Sequence, residues 1–387
     1  MADSTFRRMR IALFSEVYWP MVSGVGITLT RLTDALTARG HEVRVYSAQY
    51  QLPPGVTDRP EVRRSHGVPV GLYPDVHWAF PRQSRIEADL AAFQPDLIHV
   101  ATEVTMGLSG VKAARRLKIP LVASAHTDYQ KYAEWYRVPW VLGAAWVYLR
   151  WFYGQAERVL CPSKIYQDFL VSKGVKHAAV WSRGVDPRDF HPGFRSQEYR
   201  SRLGVGPDDL LVTYVGRVAK EKDIGRLLEV WPAVSARHPT ASLAIVGQGP
   251  LEDTIRQMQL PRTHVLGLLK GPSLSVAYAS ADIYSFPSPT ETFGNSLLEA
   301  LASGLPSIAA DTGGVLEFAR HGDNCLLAKA GDTPSLETEL ERLLTEPSLR
   351  AHLREGALAT AAERRWDTVY DKLEEDYREV AASRRVA

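Results

Sequence analysis

The sequence has little of what marks a disulfide-stabilised, membrane-spanning or metal-binding protein. Among its 387 residues are only two cysteines, Cys161 and Cys325, which lie far apart in apolar surroundings. Such a pair builds no disulfide framework, so we expect two buried thiols in a reducing, cytoplasmic compartment. The longest uncharged apolar run, residues 138–149, falls short of the roughly 20 residues that span a bilayer. With a polar, basic start and no signal-peptide pattern, the sequence predicts a soluble or peripheral protein.

Charge and motifs exclude further classes of function. The formal net charge is only +2, which gives no argument for a nucleic-acid partner. The sequence contains no acidic D-x-D metal motif beside a strand end and no cluster of histidine, cysteine and aspartate. It also lacks the nucleophile motif G-x-S-x-G and the phosphate loop G-x-x-x-x-G-K-[ST]. We therefore expect neither a bound metal nor a cofactor.

Short apolar runs alternate with amphipathic stretches, which is typical of α/β proteins with parallel sheets. Strands are predicted at 10–15, 42–47, 96–100, 120–124 and 158–160, and then at 210–215, 242–246, 263–266, 282–286 and 306–309. Helices are predicted at 27–39, 104–117, 223–237, 273–280 and 295–303, and the end of the chain, 334–384, has a helical pattern throughout. The segment 182–196, punctuated by glycine and proline, has the composition of a linker. Two similar α/β halves would bind ligands at the carboxyl ends of their strands, in a cleft between them.

The strongest functional signal lies in residues 287–306. Glu291 and Glu299 bracket a turn of Phe293, Gly294 and Asn295 that leads into an apolar helix. A carboxylate can accept hydrogen bonds from two vicinal hydroxyls, and free N–H groups at a helix start favour anions or sugar oxygens. The alternative is structural: Glu299 would be a partner of the helix dipole, and Glu291 a solvated loop charge.

A second signal, residues 214–223, connects a predicted strand to a predicted helix. Gly216, Arg217 and Lys222 lie there, where helix dipole, guanidinium and ammonium together favour phosphate. Such neutralisation is what a departing nucleoside diphosphate needs. The alternative is a surface ion-pair cluster with Glu221 and Asp223.

Weaker signals lie after other predicted strands. Gly24 and Gly26 open a helix, but Leu29 stands where a dinucleotide fingerprint has its third glycine. A tight loop without a ligand explains this pair equally well. Gly247 follows another strand, and His126 follows the strand near 124, although a lone histidine is more often structural.

The aromatic stretch 134–153 contains four of the nine tryptophans. A core helix explains most of it. Because Trp and Tyr on a short apolar helix flanked by Arg137 and Arg150 also suit a membrane interface, peripheral membrane contact is the alternative.

Taken together, the chain resembles retaining GT-B glycosyltransferases of family 4 over nearly its whole length. Glu291 and Glu299 match the family's E-x7-E motif, and Gly216, Arg217 and Lys222 match its G-R-x-x-x-x-K motif. The segments SRGVD, FRSQEYRSRL and AHTDYQKY resemble the branch of sulfoquinovosyldiacylglycerol synthases and bacterial α-mannosyltransferases of glycolipid assembly.

The resemblance implies two Rossmann-like domains that face a central cleft. Residues 1–188 would form the acceptor-side domain, 189–365 the nucleotide-sugar domain, and the final helix, 366–387, would pack back on the first. It implies a hexosyl donor linked to UDP or GDP, a lipid or saccharide acceptor, an α linkage, and work at the inner face of the plasma membrane.

The resemblance also implies residue roles. Arg217 and Lys222, with Gly216 of the same motif, would bind the diphosphate, Glu291 and the backbone of 293–295 would bind the sugar, and Glu299 would bind the ribose. His126 would contact the sugar near its reacting carbon, Gly24 and Gly26 would line the cleft opposite the phosphates, and Glu16 would face the acceptor. Independently of the resemblance, the glycine turn at Gly247 is a candidate lining of the nucleotide pocket. Asp223 departs from the family, in which many members have glycine. Alternatives are an epimerase on the same fold and a non-catalytic nucleotide-sugar-binding protein; an NAD oxidoreductase is disfavoured by the absent third glycine.

Overall fold

The computed structural model of the chain describes residues 8–21, 23–52, 55–70, 73–130, 140 and 142–383, of which 73–76 only in their backbone. The first of its two parallel sheets contains β1 (Arg10–Ser15), β2 (Glu42–Ala48), β3 (Val62–Ser65), β6 (Leu97–Val100), β7 (Leu121–Ser124), β8 (Arg158–Cys161) and β9 (Ala178–Val180), in the order β3-β2-β1-β6-β7-β8-β9. The second contains β10 (Leu210–Val215), β11 (Ala241–Val246), β12 (Thr263–Gly267), β13 (Ile283–Phe286), β14 (Ser307–Ala310) and β15 (Leu326–Ala328), in the order β12-β11-β10-β13-β14-β15. An antiparallel pair, β4 (Gly67–Val70) and β5 (Tyr73–Ala79), accompanies the first sheet.

Helices connect the strands in both halves. The first half has α1 (Gly24–Ala38), α2 (Gln83–Phe93), α3 (Thr105–Leu117), α4 (Leu142–Tyr153) and α5 (Lys164–Ser172). The rest are α6 (Gln197–Arg202), α7 (Ile224–Arg237), α8 (Glu252–Met258), α9 (Pro272–Ser280), α10 (Asn295–Ala302), α11 (Thr333–Thr345), α12 (Pro347–Ala362) and α13 (Trp366–Ser383). The predicted α/β class with two parallel sheets is confirmed.

Each sheet is buried on both faces, which explains why its strands are nearly continuous apolar runs. Along β1, Ile11 and Leu13 belong to one apolar cluster, while Ala12 and Phe14 belong to another on the opposite face. The strands of the second sheet divide in the same way between two clusters. Both cysteines are buried, and burial raises the pKa of each thiol to about 12, so both are unreactive at neutral pH.

The two central strands, β1 and β10, have the predicted bounds. The elements between 62 and 93 were not predicted. β3, with the sequence VRRS, is polar, and β4 contains a proline, so neither has the pattern of a buried strand. Helix α2 does carry a readable signal, because Ile86, Leu90 and Phe93 recur at helical spacing and are buried.

The chain passes between the two halves twice, in two segments that lie next to each other. The segment predicted as a linker contains no strand or α-helix; it has an isolated bridge at Val185, a turn at 187–189 and a 3₁₀ turn at Pro192–Phe194. The Val185 N–H donates to the carbonyl of Arg364 over 2.8 Å, where the chain returns to the first half. Helix α13 then packs Tyr370 and Tyr377 into the cluster that contains β1. The domain boundary at 188/189 remains a prediction, and residues 384–387 lie outside the described residues.

Candidate active site

Most of the predicted donor residues of the second half lie in loops that leave the carboxyl ends of neighbouring strands, while Asn295 and Glu299 lie in the first turns of α10. Gly216 and Arg217 follow β10, Gly247 follows β11, and residues 287–294 connect β13 to α10. Because these three strands are parallel neighbours, their loops emerge at one edge of the sheet. Positions far apart in sequence are thus brought to the edge where ligands of such sheets bind.

Lys222 and Glu291 are direct partners at this edge. The Lys222 ammonium donates to Oε1 of Glu291 over 2.6 Å, and the Ser288 hydroxyl donates to the same oxygen over 2.7 Å. The Lys222 and Glu291 side chains are 18% and 15% exposed, so the pair is largely desolvated but still reaches solvent. A bond of 3.0 Å from the Thr290 hydroxyl to the carbonyl of Glu221 joins the same two loops. The cation predicted for phosphate and the carboxylate predicted for sugar therefore lie side by side.

Arg217 is the second cation of this edge. Its Nη1 lies 3.4 Å from Oε1 of the buried Glu221, and its side chain is 34% exposed. Asp223 has a left-handed φ of 50° at the start of α7, and its carboxylate accepts from Nε of Arg226 over 2.6 Å. The ion pairing considered as an alternative for this loop is therefore present. The negative charge of Asp223 is opposed by Arg226, which would reduce its effect on the phosphate predicted to bind this loop.

Two glycines of these loops allow backbone to pack directly on backbone. A Cβ on Gly247, whose φ is +139°, would lie 1.8 Å from the carbonyl oxygen of Gly216. A Cβ on Gly314, in the loop after β14, would lie 2.0 Å from the carbonyl oxygen of Thr292. The Gly314 N–H also donates to the carbonyl of Glu291 over 2.7 Å. Neither glycine leaves room for a side chain, so both fix the loops that carry the predicted donor residues.

Phe293, Gly294 and Asn295 form the turn into α10. Gly294 has a φ of +99°, and a Cβ there would lie 2.6 Å from Cγ1 of Val315. Phe293 is buried against Phe318, with ring centroids 5.1 Å apart. Buried Oδ1 of Asn295 has no hydrogen-bond partner among the described residues. The anchored turn leads into a helix N-terminus whose first N–H groups suit an anion or hydroxyl oxygens.

Glu299, one turn into α10, lies near groups from both halves. The Tyr278 hydroxyl donates to its Oε2 over 3.1 Å. Burial raises the pKa of Glu299 to about 7, and the positive charge of Arg31 on α1 opposes this shift. Arg31 itself pairs with Asp189 at 3.0 Å. Burial thus favours the protonated carboxyl of Glu299, whereas its charged form is the better acceptor for a diol.

The glycine pair of the first half opens α1, just after β1. The Ser23 hydroxyl caps the helix by accepting from the Gly26 N–H over 3.0 Å. A Cβ on Gly26 would lie 2.8 Å from the carbonyl oxygen of Met21, whereas nothing lies within 4 Å of one on the exposed Gly24. Packing thus explains Gly26 but not Gly24. Val22, from the same motif, lies outside the described residues.

Both ring nitrogens of the half-buried His126 are occupied by protein groups. Nε2 lies 2.8 Å from the Ser124 hydroxyl, and Nδ1 accepts from Nη2 of Arg183 over 3.0 Å. Burial, followed by the positive charge of Arg183 and the nearby His99, holds the pKa of His126 well below its usual range. The ring is therefore neutral at neutral pH. Because both nitrogens are engaged by protein groups, neither is placed to take a proton from the hydroxyl of an acceptor substrate. The sequence predicts no separate role for Arg183, because the residue lies in the segment 182–196, which has the composition of a linker.

Thr292 brings the halves together beside Glu291. Its carbonyl accepts from the Ser163 hydroxyl over 2.9 Å, and its own hydroxyl donates to the carbonyl of His126 over 3.3 Å. The loop of Glu291 therefore lies directly against the loop of His126. The sites predicted separately in the two halves therefore face each other where these two loops are in contact.

Glu16 is placed differently from a residue that faces an acceptor. It is 0% exposed, and its carboxylate accepts from the Thr105 hydroxyl over 2.9 Å. The Thr102 hydroxyl and the Met106 N–H also donate to it. The carboxylate thus satisfies donors at the start of α3, which is a structural role, and its contact with an acceptor stays a prediction.

A second buried carboxylate of the first half, Glu103, was missed. The Tyr129 hydroxyl donates to its Oε2 over 2.6 Å, and the Tyr153 hydroxyl donates to Oε1. Burial raises the pKa of Glu103. Its place three residues beyond the end of β6 was the available signal, since side chains at that edge face the cleft of such folds.

The aromatic stretch is only partly described, because residues 131–139 and 141 lie outside the described residues. In α4, Trp146 and Phe152 are buried, while Val147 is 62% and Trp151 is 45% exposed. The helix thus has a core face and an apolar outer face, and membrane contact stays a prediction. Within the described ranges, no helix combines the length and apolarity needed to cross a bilayer. Over the same ranges, no three His, Cys, Asp or Glu side chains are grouped as metal ligands.

Two family models match the chain: Glycosyltransferase Family 4 over residues 22–189 and Glycosyl transferases group 1 over residues 209–346. A GDP-mannose-dependent alpha-mannosyltransferase of Mycobacterium tuberculosis is 34% identical over 97% of this chain and 98% of that protein. The sulfoquinovosyl transferase of Arabidopsis thaliana is 32% identical over 96% of this chain and 74% of that protein. An alpha-monoglucosyldiacylglycerol synthase of Streptococcus pneumoniae is 30% identical over 78% of this chain and 71% of that protein.

Solved structures share the architecture. Sucrose-phosphate synthase from Thermosynechococcus elongatus superposes with a TM-score of 0.78 at 20% identity, covering 97% of this chain and 100% of the other. Anabaena HepE in complex with UDP-glucose gives a TM-score of 0.74 at 20% identity, with coverages of 97% and 100%. At such identities the likeness establishes the fold, and the predicted GT-B arrangement of two Rossmann-like domains is confirmed.

Proposed function

Because the chain belongs to the family 4 glycosyltransferases, which use nucleotide sugars, we propose that it transfers a hexosyl group from a UDP- or GDP-linked donor to a membrane glycolipid. The transfer retains the anomeric configuration, gives an α linkage and needs no metal ion. The observation that supports this proposal is the direct contact of Lys222 with Glu291, because it joins a cation that we propose to bind phosphate to a carboxylate that we propose to bind the sugar, and Arg217 lies on the same loop as Lys222.

The charges of the site suit the departure of a diphosphate. As the bond from the anomeric carbon to the leaving oxygen breaks, positive charge develops on the sugar and negative charge on the phosphate. Arg217 and Lys222 stabilise the phosphate, and Glu291 holds the sugar hydroxyls. The two cations thereby take the place that a metal ion has in other transferases, so the reaction proceeds without one.

The leaving phosphate oxygen, on the same face of the sugar, accepts the proton of the attacking hydroxyl. His126 supports this assignment because its ring nitrogens are engaged by Ser124 and Arg183. No pair of carboxylates of the kind found in glycosidases is then required. The outcome is retention of configuration.

A lipid acceptor is favoured by the relatives and by the surface of the first half. The pneumococcal relative is named for monoglucosyldiacylglycerol synthesis. The outer face of α4 exposes Val147 and Trp151, and Trp140 nearby is 80% exposed. Apolar and aromatic side chains of this kind suit the interface of a bilayer.

The decisive experiment is a thermal-shift screen with UDP-, GDP- and ADP-sugars in the presence of EDTA. We expect one class of donor to raise the melting temperature of the wild type, and Lys222→Ala to abolish the shift. Lys220→Ala, which removes an exposed lysine of the same loop, is the matched control and should keep the shift.

Transfer is then measured with the stabilising donor and diacylglycerol vesicles, and the anomer of the product is determined by NMR. An α product from an α-linked donor supports retention. Conversion of the donor without any alcohol would favour an epimerase, and binding without conversion would favour a non-catalytic protein. A stabilising effect that disappears in EDTA would contradict metal independence.

A further inference from the structure

Arg183 is a buried cation without an acidic partner among the described residues. It is 4% exposed, and its Nη1 donates to the carbonyls of Trp181, over 2.7 Å, and Ser182, over 3.1 Å. Its guanidinium carbon lies 4.5 Å from the centroid of the Trp181 ring. Burial lowers the pKa of Arg183 to about 10, which leaves the side chain charged at neutral pH. Keeping an unpaired charge buried is costly, so its remaining contact requires an explanation.

That contact is with His126 and defines the protonation of its ring. Nη2 of Arg183 lies 3.0 Å from Nδ1 of His126. A guanidinium has no acceptor, so Nδ1 must be the unprotonated nitrogen. The proton of the neutral ring is then on Nε2, which donates to the Ser124 hydroxyl over 2.8 Å.

Further hydrogen bonds in the core of the first half follow with the same order of donor and acceptor. With its oxygen accepting from His126, the Ser124 hydroxyl donates to Nε2 of His99 over 2.8 Å. Nδ1 of His99 then donates to the hydroxyl oxygen of Tyr377 over 2.6 Å. His99 is fully buried, and burial lowers its pKa to about 3, so it remains neutral. A chain of one-way hydrogen bonds thus runs from Arg183 to helix α13.

We propose that Arg183 is a positioning residue that locks His126 in its neutral Nε2–H form and thereby excludes its ring from proton transfer. The residue serves catalysis by holding the imidazole and the adjoining carbonyl, which binds Thr292, in one orientation. This inference rests on the proposed function only for its catalytic consequence. The tautomer of His126 does not depend on which sugar donor or acceptor substrate the protein uses.

The surroundings of His126 agree with a locked neutral ring. The groups that act on its charge are Arg183, from the segment after β9, and His99, from β6. The rings of His126 and Trp181 form a T-shaped pair with their centroids 5.8 Å apart. An imidazolium would place a second positive charge next to the guanidinium, in a site with little water to screen it. Protonation would also break the bond from Arg183, since Nδ1 would become a donor.

The first test is the tautomer in the wild-type protein, measured by long-range ¹H–¹⁵N NMR on histidine-labelled material and assigned by comparison with His126→Gln. We expect the His126 signals of an Nε2–H ring, unchanged as the pH falls from about 8 to about 5.5. A proton on Nδ1, or titration of the wild-type ring in this range, would overturn the proposal.

The second test compares the His126 titration and the transfer activity of variants over the same range of pH. In Arg183→Met, the pKa of His126 should rise, because the positive charge of Arg183 is removed while burial remains. Transfer from GDP-mannose or UDP-glucose should then fall roughly tenfold about one pH unit below the His126 pKa measured in that variant, where only about a tenth of the ring is neutral. Arg183→Lys, which keeps a donor-only cation, should restore most of the neutral form.

Arg183 and Arg364 line one cavity of about 300 Å³, and Arg364 bonds to the carbonyl of Glu317 rather than to His126. Arg364→Met is therefore the matched control. It should leave the His126 titration unchanged; if it made His126 titrate as in Arg183→Met, the specific role of Arg183 would be refuted. Absence of transfer in the wild type with every donor would count against the proposed function alone. The NMR result on wild-type tautomer would still decide the inference, even if Arg183→Met failed to fold.

Discussion

The Lys222 ammonium and the Glu291 carboxylate, 69 positions apart in the chain, are joined by a hydrogen-bonded ion pair of 2.6 Å. In this arrangement each group compensates the charge of the other. A donor that brings its own diphosphate and hydroxyls must share or replace this contact. The pair holds both side chains in place at the proposed donor site, which would reduce the entropy lost on donor binding.

We expect Lys222→Ala and Arg217→Ala each to lower turnover by more than about 100-fold, since each removes a charge that we propose to stabilise the transition state. Turnover is measured at saturating donor, so that weaker binding does not mask the effect. Lys220→Ala should remain within about twofold of wild type, because an exposed surface change is usually small. Wild-type rates in the two site variants would refute the assignment of the phosphate site.

The ion pair itself predicts non-additivity. Lys222→Ala combined with Glu291→Ala should cost less than the sum of the single changes by about 1–3 kcal/mol, because the partners are in direct contact. The quantity to compare is the activation free energy derived from kcat/KM for the donor. Strict additivity would mean that the two groups act independently in the reaction.

Glu299 predicts a dependence of stability on pH. Its pKa is raised from 4.5 to about 7 in the folded protein, so the folded state binds this proton more tightly than the unfolded chain. Its contribution is therefore fully favourable below pH 4.5 and is lost as the pH rises through 7. Glu299→Gln, which does not titrate, should be more stable than wild type by about 1–3 kcal/mol at pH 8, with little difference near pH 4.5. Urea unfolding at the two pH values measures this.

The same residue should affect donor binding in the opposite direction. Since the ionised carboxylate is the better acceptor for a ribose diol, wild-type affinity should weaken as the pH falls below 7. Glu299→Gln should bind the donor weakly at both pH values. Glu198→Gln, at a side chain that is 74% exposed, is the control for a lost surface charge. An affinity of wild type that does not change between pH 6 and pH 8 would argue against Glu299 as the ribose ligand.

Gly314 is expected to tolerate no side chain. Gly314→Ala would place Cβ 2.0 Å from the carbonyl oxygen of Thr292, so the loop of Glu291 must move. We expect a loss of about 1–3 kcal/mol in unfolding free energy, together with weaker donor binding by calorimetry. Gly225→Ala, where nothing lies within 4 Å, should instead stabilise α7 by up to about 1 kcal/mol. Equal effects of the two changes would mean that the loop relaxes without cost.

Ser163 combines a helix cap with a bond between the halves. Its hydroxyl accepts from the Tyr166 N–H over 3.1 Å and donates to the carbonyl of Thr292 over 2.9 Å. Ser163→Ala should lower the unfolding free energy by about 1 kcal/mol and raise the KM for donor several-fold. Ser196→Ala, which removes a cap with no such bridge, should lose stability alone. An unchanged KM in Ser163→Ala would show that this contact does not contribute to closing the cleft.

The sequence predicts most of the framework because its signals are local. The apolar runs of β1 and β10 and the motif spacing of Glu291 and Glu299 need only neighbouring residues to be recognised. The antiparallel pair β4–β5 and the polar β3 lack a buried-strand pattern, so their existence depends on the sheet they accompany.

The sequence predicts positions for the candidate site but not the contacts between them. The bond of Arg183 with His126, across 57 positions, depends on how the segment after β9 crosses the cleft. The buried engagement of Glu16 by Thr105 depends on the start of α3 lying beside β1. Neither relation leaves a periodic trace in the sequence, because tertiary structure alone brings these groups together.

The paired crossings at Val185 and Arg364 have a consequence for engineering. A Cβ on Gly184 would lie 2.6 Å from the backbone nitrogen of Trp366, so the two connections touch along their length. Helix α13 supplies Tyr370 and Tyr377 to the apolar core of the first half. A hybrid protein joined only near position 189 would therefore pack α13 of one parent against the core of the other. Hybrids built to combine the donor preference of one transferase with the acceptor of another should therefore keep residues 366–383 with the amino-terminal lobe.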